Sequence, residues 1–128
     1  MNLKIYFDSV KGIGVLSTSD INGKVNAAIF SKPHIFADDT LGLIMRDRLT
    51  YHNLQTNPHA AYLFIEEGTY QGKRLYLTKI SQEKDTDRIN LLKRRKSLSA
   101  EEDQQKGPKY LLIFKIDKIL PLIGSGEN

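Results

Sequence analysis

The sequence predicts a mainly β fold, a six-stranded antiparallel barrel with a few small helices. Short apolar runs of strand length recur along the 128 residues, and turn-forming residues separate most of them. Helix-prone stretches interrupt the strands at only two places. Strands that follow one another through hairpins pair antiparallel, whereas a regular alternation of strands and helices would indicate a parallel sheet. The length fits a single domain spanning residues 1–128.

The first part of the chain predicts a helix and then a β-hairpin. Apolar side chains recur at helical spacing over residues 2–10, which indicates a short amphipathic helix. Strands are predicted over residues 15–18 and 25–30. Asn22 and Gly23 lie between them and form a favoured hairpin turn, because both residues tolerate positive φ.

The middle of the chain predicts a third strand followed by a short helix. Pro33 interrupts the second strand because it cannot donate to a ladder, and residues 35–37 resume that strand. The third strand covers residues 41–45. Thr50 is expected to cap a helix over residues 51–56, since a threonine oxygen can accept a hydrogen bond from a free helix amide.

The remaining chain predicts three more strands and a polar helix. The segment 84–106 is charged and helix-prone and ends at Gly107-Pro108. The strands are expected over residues 60–65, 74–80 and 110–119.

Composition excludes several classes of function. The chain has no cysteine, which excludes a disulfide scaffold, thiol catalysis and cysteine metal sites. The absence of cysteine suits a reducing compartment, and no signal peptide or membrane-span length is visible, so we expect a cytoplasmic protein that does not enter a membrane. The formal net charge of +4 favours anionic partners such as phosphate esters, nucleotides or nucleic acid.

A candidate anion site follows the third strand. Arg46 and Arg48 come at the end of the strand, and Thr50 stands where the helix begins. Free amides and partial positive charge at a helix start favour anions, and arginine offers forked donors for phosphate oxygens. The plainer interpretation is that Thr50 only caps the helix and that the arginines are solvated.

The order of these segments resembles the pyridoxamine-phosphate-oxidase-like FMN-binding split barrels. The likeness rests on an apolar strand, a basic turn, Asn53-Leu54-Gln55-Thr56-Asn57-Pro58, and then Ala60-Ala61-Tyr62-Leu63-Phe64. The preceding hairpin also matches, with Gly14-Val15-Leu16-Ser17-Thr18 and Val25-Asn26-Ala27-Ala28-Ile29-Phe30. The likeness in order covers roughly residues 10–119, and no single motif within it is strong.

The resemblance implies a split β-barrel of Greek-key type that binds FMN, and commonly a homodimer with an unknown small-molecule substrate. It places the flavin ring against the second strand and the end of the third, and the phosphate at the turn before the helix. The implied cofactor-binding residues are Ala28, Ile29, Phe30, Ser31, Met45, Arg46, Arg48, Leu49, Thr50 and Arg74, with Lys73 beside the last. The family usually holds the phosphate with a Ser-Arg-Lys-like turn, and this chain has Arg48-Leu49-Thr50 there, without the lysine.

Other functions remain as alternatives. A non-enzymatic module of the same fold for a flavin- or phosphate-type ligand is the first, and a nucleic-acid-binding β-barrel is the second. The basic run over residues 93–96 has no interleaved aromatic residue to stack on bases, which disfavours nucleic acid. The three histidines lack the short spacing of a metal site, and no catalytic acid–base pair or triad stands out, so no metal is expected and the catalytic residues are unknown.

Overall fold

A computed structural model describes residues 2–37, 39–92 and 107–124. Within these residues, seven strands form one antiparallel sheet. The strands are β1 (Gly12–Ser19), β2 (Val25–Phe30), β3 (His34–Ala37), β4 (Thr40–Arg46), β5 (His59–Glu66), β6 (Gly72–Lys84) and β7 (Lys109–Pro121). The helices are α1 (Leu3–Ser9), α2 (Leu49–Thr56) and α3 (Asp87–Leu92).

The sheet is curled into an open barrel. Its strand order is β2-β1-β5-β6-β7-β4-β3, so β2 and β3 are the two edges. These edge strands are consecutive in the chain and only residues 31–33 separate them. The sheet must therefore curl until its edges meet at that end. The position of β4 beside β7, the last of three consecutive strands, is a Greek-key arrangement.

The barrel stays open where β3 is too short to line the whole of β4. β3 pairs with β4 only over residues 40–42. β2 and β4 are not hydrogen-bonded to each other, so residues 43–46 of β4 have β7 on one side and no strand of the described residues on the other. We call the gap between β2 and residues 43–46 of β4 the cleft.

Helix α2 crosses the mouth of the cleft, and three hydrogen bonds between polar side chains fix it there. Asn26 Nδ2 donates to Thr50 Oγ1 at 3.2 Å, and Asn53 Nδ2 donates to Thr18 Oγ1 at 3.1 Å. Asn57 Nδ2 donates to Ser19 Oγ at 3.3 Å. The start of α2 is thereby attached to β2 and its end to β1.

The core lies inside the curl of the sheet. Alternate residues of the strands point inward, as period-two alternation requires, and Leu16, Tyr62 and Phe64 are fully buried. Phe7 of α1 packs edge-on against Phe64, with ring centroids 5.2 Å apart, and so closes one end of the barrel. The predicted helix over residues 2–10 is confirmed.

The prediction of six strands is wrong, because residues 34–37 do not continue the second strand. They form β3, which leaves β2 and pairs with β4 at the opposite edge. The antiparallel, mainly β prediction is confirmed, as is the strand over 25–30. The first strand starts earlier than predicted, since Gly12 and Gly14 lie within β1.

Two local predictions also need correction. The hairpin turn at Asn22-Gly23 is present, but only Gly23 has positive φ, at 86°. Asp20 organises the turn instead, because its Oδ1 accepts from the backbone N–H groups of Asn22 and Lys24. The predicted helix over 84–106 begins only at Asp87, since β6 runs to Lys84, and residues 93–106 lie outside the described residues.

Candidate functional site

Four of the residues predicted to contact a flavin lie at the free edge of the sheet. Ala28, Ile29 and Phe30 belong to β2, and Ser31 follows directly. An edge strand pairs on one side only, so alternate N–H and C=O groups of β2 point away from β1. These backbone groups are available to hydrogen-bond the edge of a planar heterocycle.

The opposite side of the cleft is the end of β4. Met45 and Arg46 lie in the part of β4 for which β3 offers no partner within the described residues. The side chain of Met45 is buried, with 5% exposure, so only its backbone is offered to the cleft. Arg46 is held in place, since its Nη1 donates to the carbonyl of Gly107 at 2.7 Å.

The start of α2 stands at the mouth of the cleft. Arg48 is the N-cap residue in an extended conformation, and no side chain of the described residues caps the helix there. The first amides of a helix lack partners within the helix, so the backbone N–H groups after Arg48 are open to a ligand. Arg48 and Leu49 are both exposed at this position.

The prediction that Thr50 caps the helix is wrong. Thr50 lies inside the first turn of α2, is only 6% exposed, and accepts the hydrogen bond from Asn26. Burial against β2 wins over capping because the helix begins two residues earlier than predicted, at Leu49. Thr50 therefore attaches the helix start to the edge strand.

An acidic residue lies among these basic residues. Asp47 follows Arg46 directly, and its Oδ1 lies 2.6 Å from His52 Nε2 on α2. Both side chains are about half exposed, at 46% for Asp47 and 64% for His52. The pair draws the carboxylate toward the helix surface, which reduces its repulsion of an anion at the turn when the imidazole is protonated.

Arg74 is not brought together with the other predicted residues. It lies on β6, opposite Leu63 of β5, three strands away from Ile29. At about 4.8 Å per strand this is about 14 Å across the sheet. Its guanidinium donates to the carbonyls of Pro121, at 2.9 Å from Nε, and Gly124. Within one chain Arg74 thus holds the segment after β7 and does not face the cleft.

Two residues that the sequence reasoning missed support the cleft. Asn26 joins β2 to Thr50, and the Tyr62 hydroxyl donates to the carbonyl of Ser31 at 3.0 Å. Gly14 makes room for this hydroxyl, because a Cβ there would overlap it. The signal for Asn26 was present in the sequence, since it is a polar residue at an inward position of an otherwise apolar strand.

The structure also allows a search for a metal site and for a membrane-spanning helix. No group of three or more metal-ligating His, Asp or Glu side chains occurs in the described part of the chain. The helices described there are all too short or too polar to span a membrane.

Comparisons with known proteins identify the fold. No family model matches the sequence, and no curated protein is detectably similar to it. An FMN-binding protein from Syntrophomonas wolfei superposes with a TM-score of 0.73 at 24% identity, covering 94% of this chain and 84% of that one. A proposed pyridoxamine 5'-phosphate oxidase from Lactobacillus delbrueckii gives 0.69 at 11% identity, with 94% and 92% covered.

A third solved structure supplies the name of the fold. A proposed flavin reductase with a split barrel domain, from Shewanella frigidimarina, gives a TM-score of 0.55 at 12% identity and covers 88% of this chain and 67% of that one. These likenesses define the class of this chain as a split barrel. It has the fold shared by FMN-binding and pyridoxamine-phosphate-oxidase-like proteins, which confirms that prediction from the sequence.

Proposed function

We propose that this chain binds FMN in the cleft and serves as a flavin-dependent oxidoreductase. The observation that carries the proposal is the attachment of α2 to β2 through Asn26 and Thr50, at 3.2 Å. It sets the open amides of a helix start beside the open edge of a strand. A phosphate fits the first feature and a flavin ring fits the second.

The spacing of the two features suits a ligand whose phosphate and ring are held apart by a chain. Asn26 marks the helix start, and Ala28 to Ser31 mark the predicted ring position. Two to five residues of extended strand correspond to about 7–16 Å. FMN has this form, since a ribityl chain joins its ring to its phosphate.

Charge at the phosphate end comes from Arg48 and Arg46, together with the amides of α2. Arg48 is exposed and lies at the helix start, whereas Arg46 already donates to Gly107. Leu49 and Thr50 occupy the last two positions of the Ser-Arg-Lys-like turn of the family, so the backbone has to replace the missing lysine. We assign the ring contacts to the backbone of residues 28–31, 45 and 46.

Bound FMN would supply the redox chemistry itself, through exchange of electrons with a substrate. The protein then has to bind, orient and exclude water, and needs no acid–base pair of its own. The buried floor of the barrel next to the cleft, which includes Met45 and Tyr62, excludes water from that side.

The visible spectrum of the purified protein tests the proposal. Flavin absorption bands that are lost with dithionite and return in air support it. A protein that binds flavin but passes no electrons between any electron donor and acceptor supplied to it would favour the non-enzymatic module. A protein that stays colourless after incubation with FMN contradicts the proposal.

Arg48→Ala tests the phosphate end. Charge-assisted hydrogen bonds are worth roughly 1.5–3 kcal/mol, and screening at this exposed position favours the lower end of that range. We therefore expect FMN to bind about tenfold more weakly, with riboflavin nearly unaffected because it lacks the phosphate. Lys115→Ala removes the same formal charge from the outer face of β7 and should change neither ligand. Equal losses for FMN and riboflavin would show that Arg48 does not bind the phosphate.

We also propose that the chain forms a homodimer through the outer face of β1, β2 and β5. Antiparallel sheets that face water usually alternate apolar and polar residues, with charge on the outer face. Here the outward residues include no Lys, Arg, Asp or Glu, and several are well exposed, among them Val25 at 84% and Ile29 at 72%. The outward residues are Ile13, Val15, Ser17, Ser19, Val25, Ala27, Ile29, His59, Ala61, Leu63 and Ile65. Such a face favours contact with an equally uncharged copy of itself.

Ala27→Arg tests the dimer. Ala27 is exposed on β2, so the substitution leaves the core intact but introduces two like charges near a two-fold axis. Sedimentation of the wild type at micromolar concentration should give a dimer and the variant a monomer. Ala37→Arg on β3 is the matched control, since Ala37 is also an exposed strand alanine. A wild type that sediments as a monomer with FMN present rejects the dimer.

A further inference from the structure

A groove lies outside the cleft, where β1 begins and β5 turns into β6. Its volume is about 570 Å³, within the range of small-molecule sites. It is lined by Lys11, Gly12, Ile13, Ile65, Glu66, Glu67, Gly68, Thr69 and Tyr70. None of these residues belongs to the proposed flavin site, but Ile13 and Ile65 also lie on the outer face proposed for the dimer, so a second copy of the chain would compete with a ligand for the floor of the groove.

The floor of the groove is apolar. Ile13 and Ile65 are direct neighbours across β1 and β5, and Ile13 is 58% exposed although it is a strand residue. Tyr70 stands at the side and is 86% exposed. An exposed tyrosine beside two isoleucines offers a flat surface on which a ring can stack.

The turn between β5 and β6 forms one wall of the groove, and hydrogen bonds hold it in place. The Thr69 hydroxyl donates to the Glu66 carbonyl at 3.0 Å, and the Gln71 amide donates to the Thr69 hydroxyl at 3.0 Å. The Glu67 amide donates to the carbonyl of Lys11 at 2.8 Å, which ties the turn to the start of β1. A wall that is already ordered loses little conformational freedom when a ligand binds.

The charges around the groove are balanced. Glu66 accepts a hydrogen bond from the Tyr6 hydroxyl at 2.6 Å, and Lys73 Nζ lies 4.5 Å from the centre of that tyrosine ring. Glu67 and Lys11 add one charge of each sign. Lys11 and Glu67 balance each other, and Lys73, which lies beside the groove and outside its lining, balances Glu66. The groove therefore has no net charge to attract an ion and favours an uncharged ligand.

From this geometry we infer that the groove binds a flat, uncharged aromatic or quinone-type ring, stacked against Tyr70 over Ile13 and Ile65. Ile13 precedes Gly14, which pairs with Phe30 at the end of β2. The ring would lie between one and two strand spacings, about 5–10 Å, from the strand on which we place the flavin. A role as redox partner of the flavin rests on the proposed function, whereas binding of the ring does not.

The test is titration of the protein without FMN by menadione, an uncharged planar quinone, followed by amide NMR shifts. The glycine amides of the groove, Gly12 and Gly68, should shift on binding. Tyr70→Ala should weaken menadione about three- to tenfold, the size of an aromatic stacking contribution. Tyr70 is on an exposed turn, so this variant is expected to fold normally.

A second pair of variants separates the groove from general surface effects. Ile13→Ser should weaken menadione by a similar factor, and Ile80→Ser is the matched control, because both isoleucines are strand residues with 58% exposure. Unchanged affinity in Tyr70→Ala and Ile13→Ser overturns the inference. Sedimentation of the same samples tests whether a second copy of the chain fills the groove instead. In that case the wild type would not bind menadione and would sediment as a dimer, and the Ile13→Ser variant would sediment as a monomer.

Discussion

The hydrogen bond between Asn26 and Thr50 gives the sharpest test of how the cleft is built. Thr50→Val keeps the shape of the side chain and removes Oγ1, the atom that accepts from Asn26 Nδ2. A second Asn–Thr pair of the same kind, Asn53 with Thr18, lies one turn further along α2. Thr18→Val is therefore a matched control, in which the same chemistry is lost away from the helix start.

The expected loss of stability follows from burial. Thr50 and Thr18 are 6% and 4% exposed, so neither hydroxyl is replaced by bulk water. A net hydrogen bond contributes about 0.5–1.5 kcal/mol, and a buried donor left without a partner costs about 1–3 kcal/mol. Asn26 is only half-buried and regains some water, so we expect Thr50→Val to lower the free energy of unfolding by about 1–2 kcal/mol. Thr18→Val should lose at least as much, because its partner Asn53 is buried.

The two variants should differ in ligand binding. Thr50→Val releases the start of α2 from β2 and should weaken FMN by about three- to tenfold, whereas Thr18→Val leaves the helix start in place. Urea unfolding and FMN titration of both variants provide the measurement. A double-mutant cycle with Asn26→Ala should give a coupling of about 1 kcal/mol between Asn26 and Thr50. Additive losses, or equal effects of the two valine variants on FMN, would refute the reasoning.

Two further predictions concern the framework. Gly14→Ala should lower the free energy of unfolding by about 1–3 kcal/mol, measured by urea unfolding, because the new Cβ would overlap the Tyr62 hydroxyl; an unchanged midpoint would contradict the close approach. Burial and the hydrogen bond to Glu66 raise the pKa of Tyr6 well above its usual range. Below pH of about 10 both states keep the proton, and above it the unfolded state loses it first, so wild-type stability falls as pH rises. Tyr6→Phe should show a shallower fall between pH 10 and 12 in the same assay, and parallel curves would argue against the shift.

The sequence predicted most elements of the fold because their signals are local. Alternating apolar residues and the Asp20–Gly23 turn fix the β1–β2 hairpin within a short window. The partner strand of residues 34–37, in contrast, is not determined by the local sequence. The break at Pro33 looks the same whether the strand resumes beside its old neighbour or crosses to the far edge of the sheet. The pairing of β3 with residues 40–42 of β4 decides which edge these residues join. That pairing depends on the curl of the whole sheet.

The site was predictable to a similar degree. The strand end, the basic turn and the helix start are consecutive in sequence, so Arg46, Arg48 and Thr50 had to lie near one another. What Thr50 does there depends on Asn26, a residue 24 positions away that the fold brings beside it. Arg74 was assigned by its position in the family pattern, and the backbone carbonyls that its guanidinium contacts belong to a segment nearly fifty residues later.

The charges at the helix start explain why the position of α2 matters more than any single side chain. The turn carries Arg46, Asp47 and Arg48, a sum of only one positive charge, and the guanidinium of Arg46 already contacts Gly107. A phosphate carries about two negative charges, so the side chains cannot neutralise it alone. The backbone amides of α2 must supply the rest, and their partial charge acts only over the first turn of a helix. An ammonium group on a flexible lysine could follow a displaced phosphate, whereas amides cannot. A split barrel without that lysine therefore depends on the hydrogen bond that attaches the start of α2 to β2.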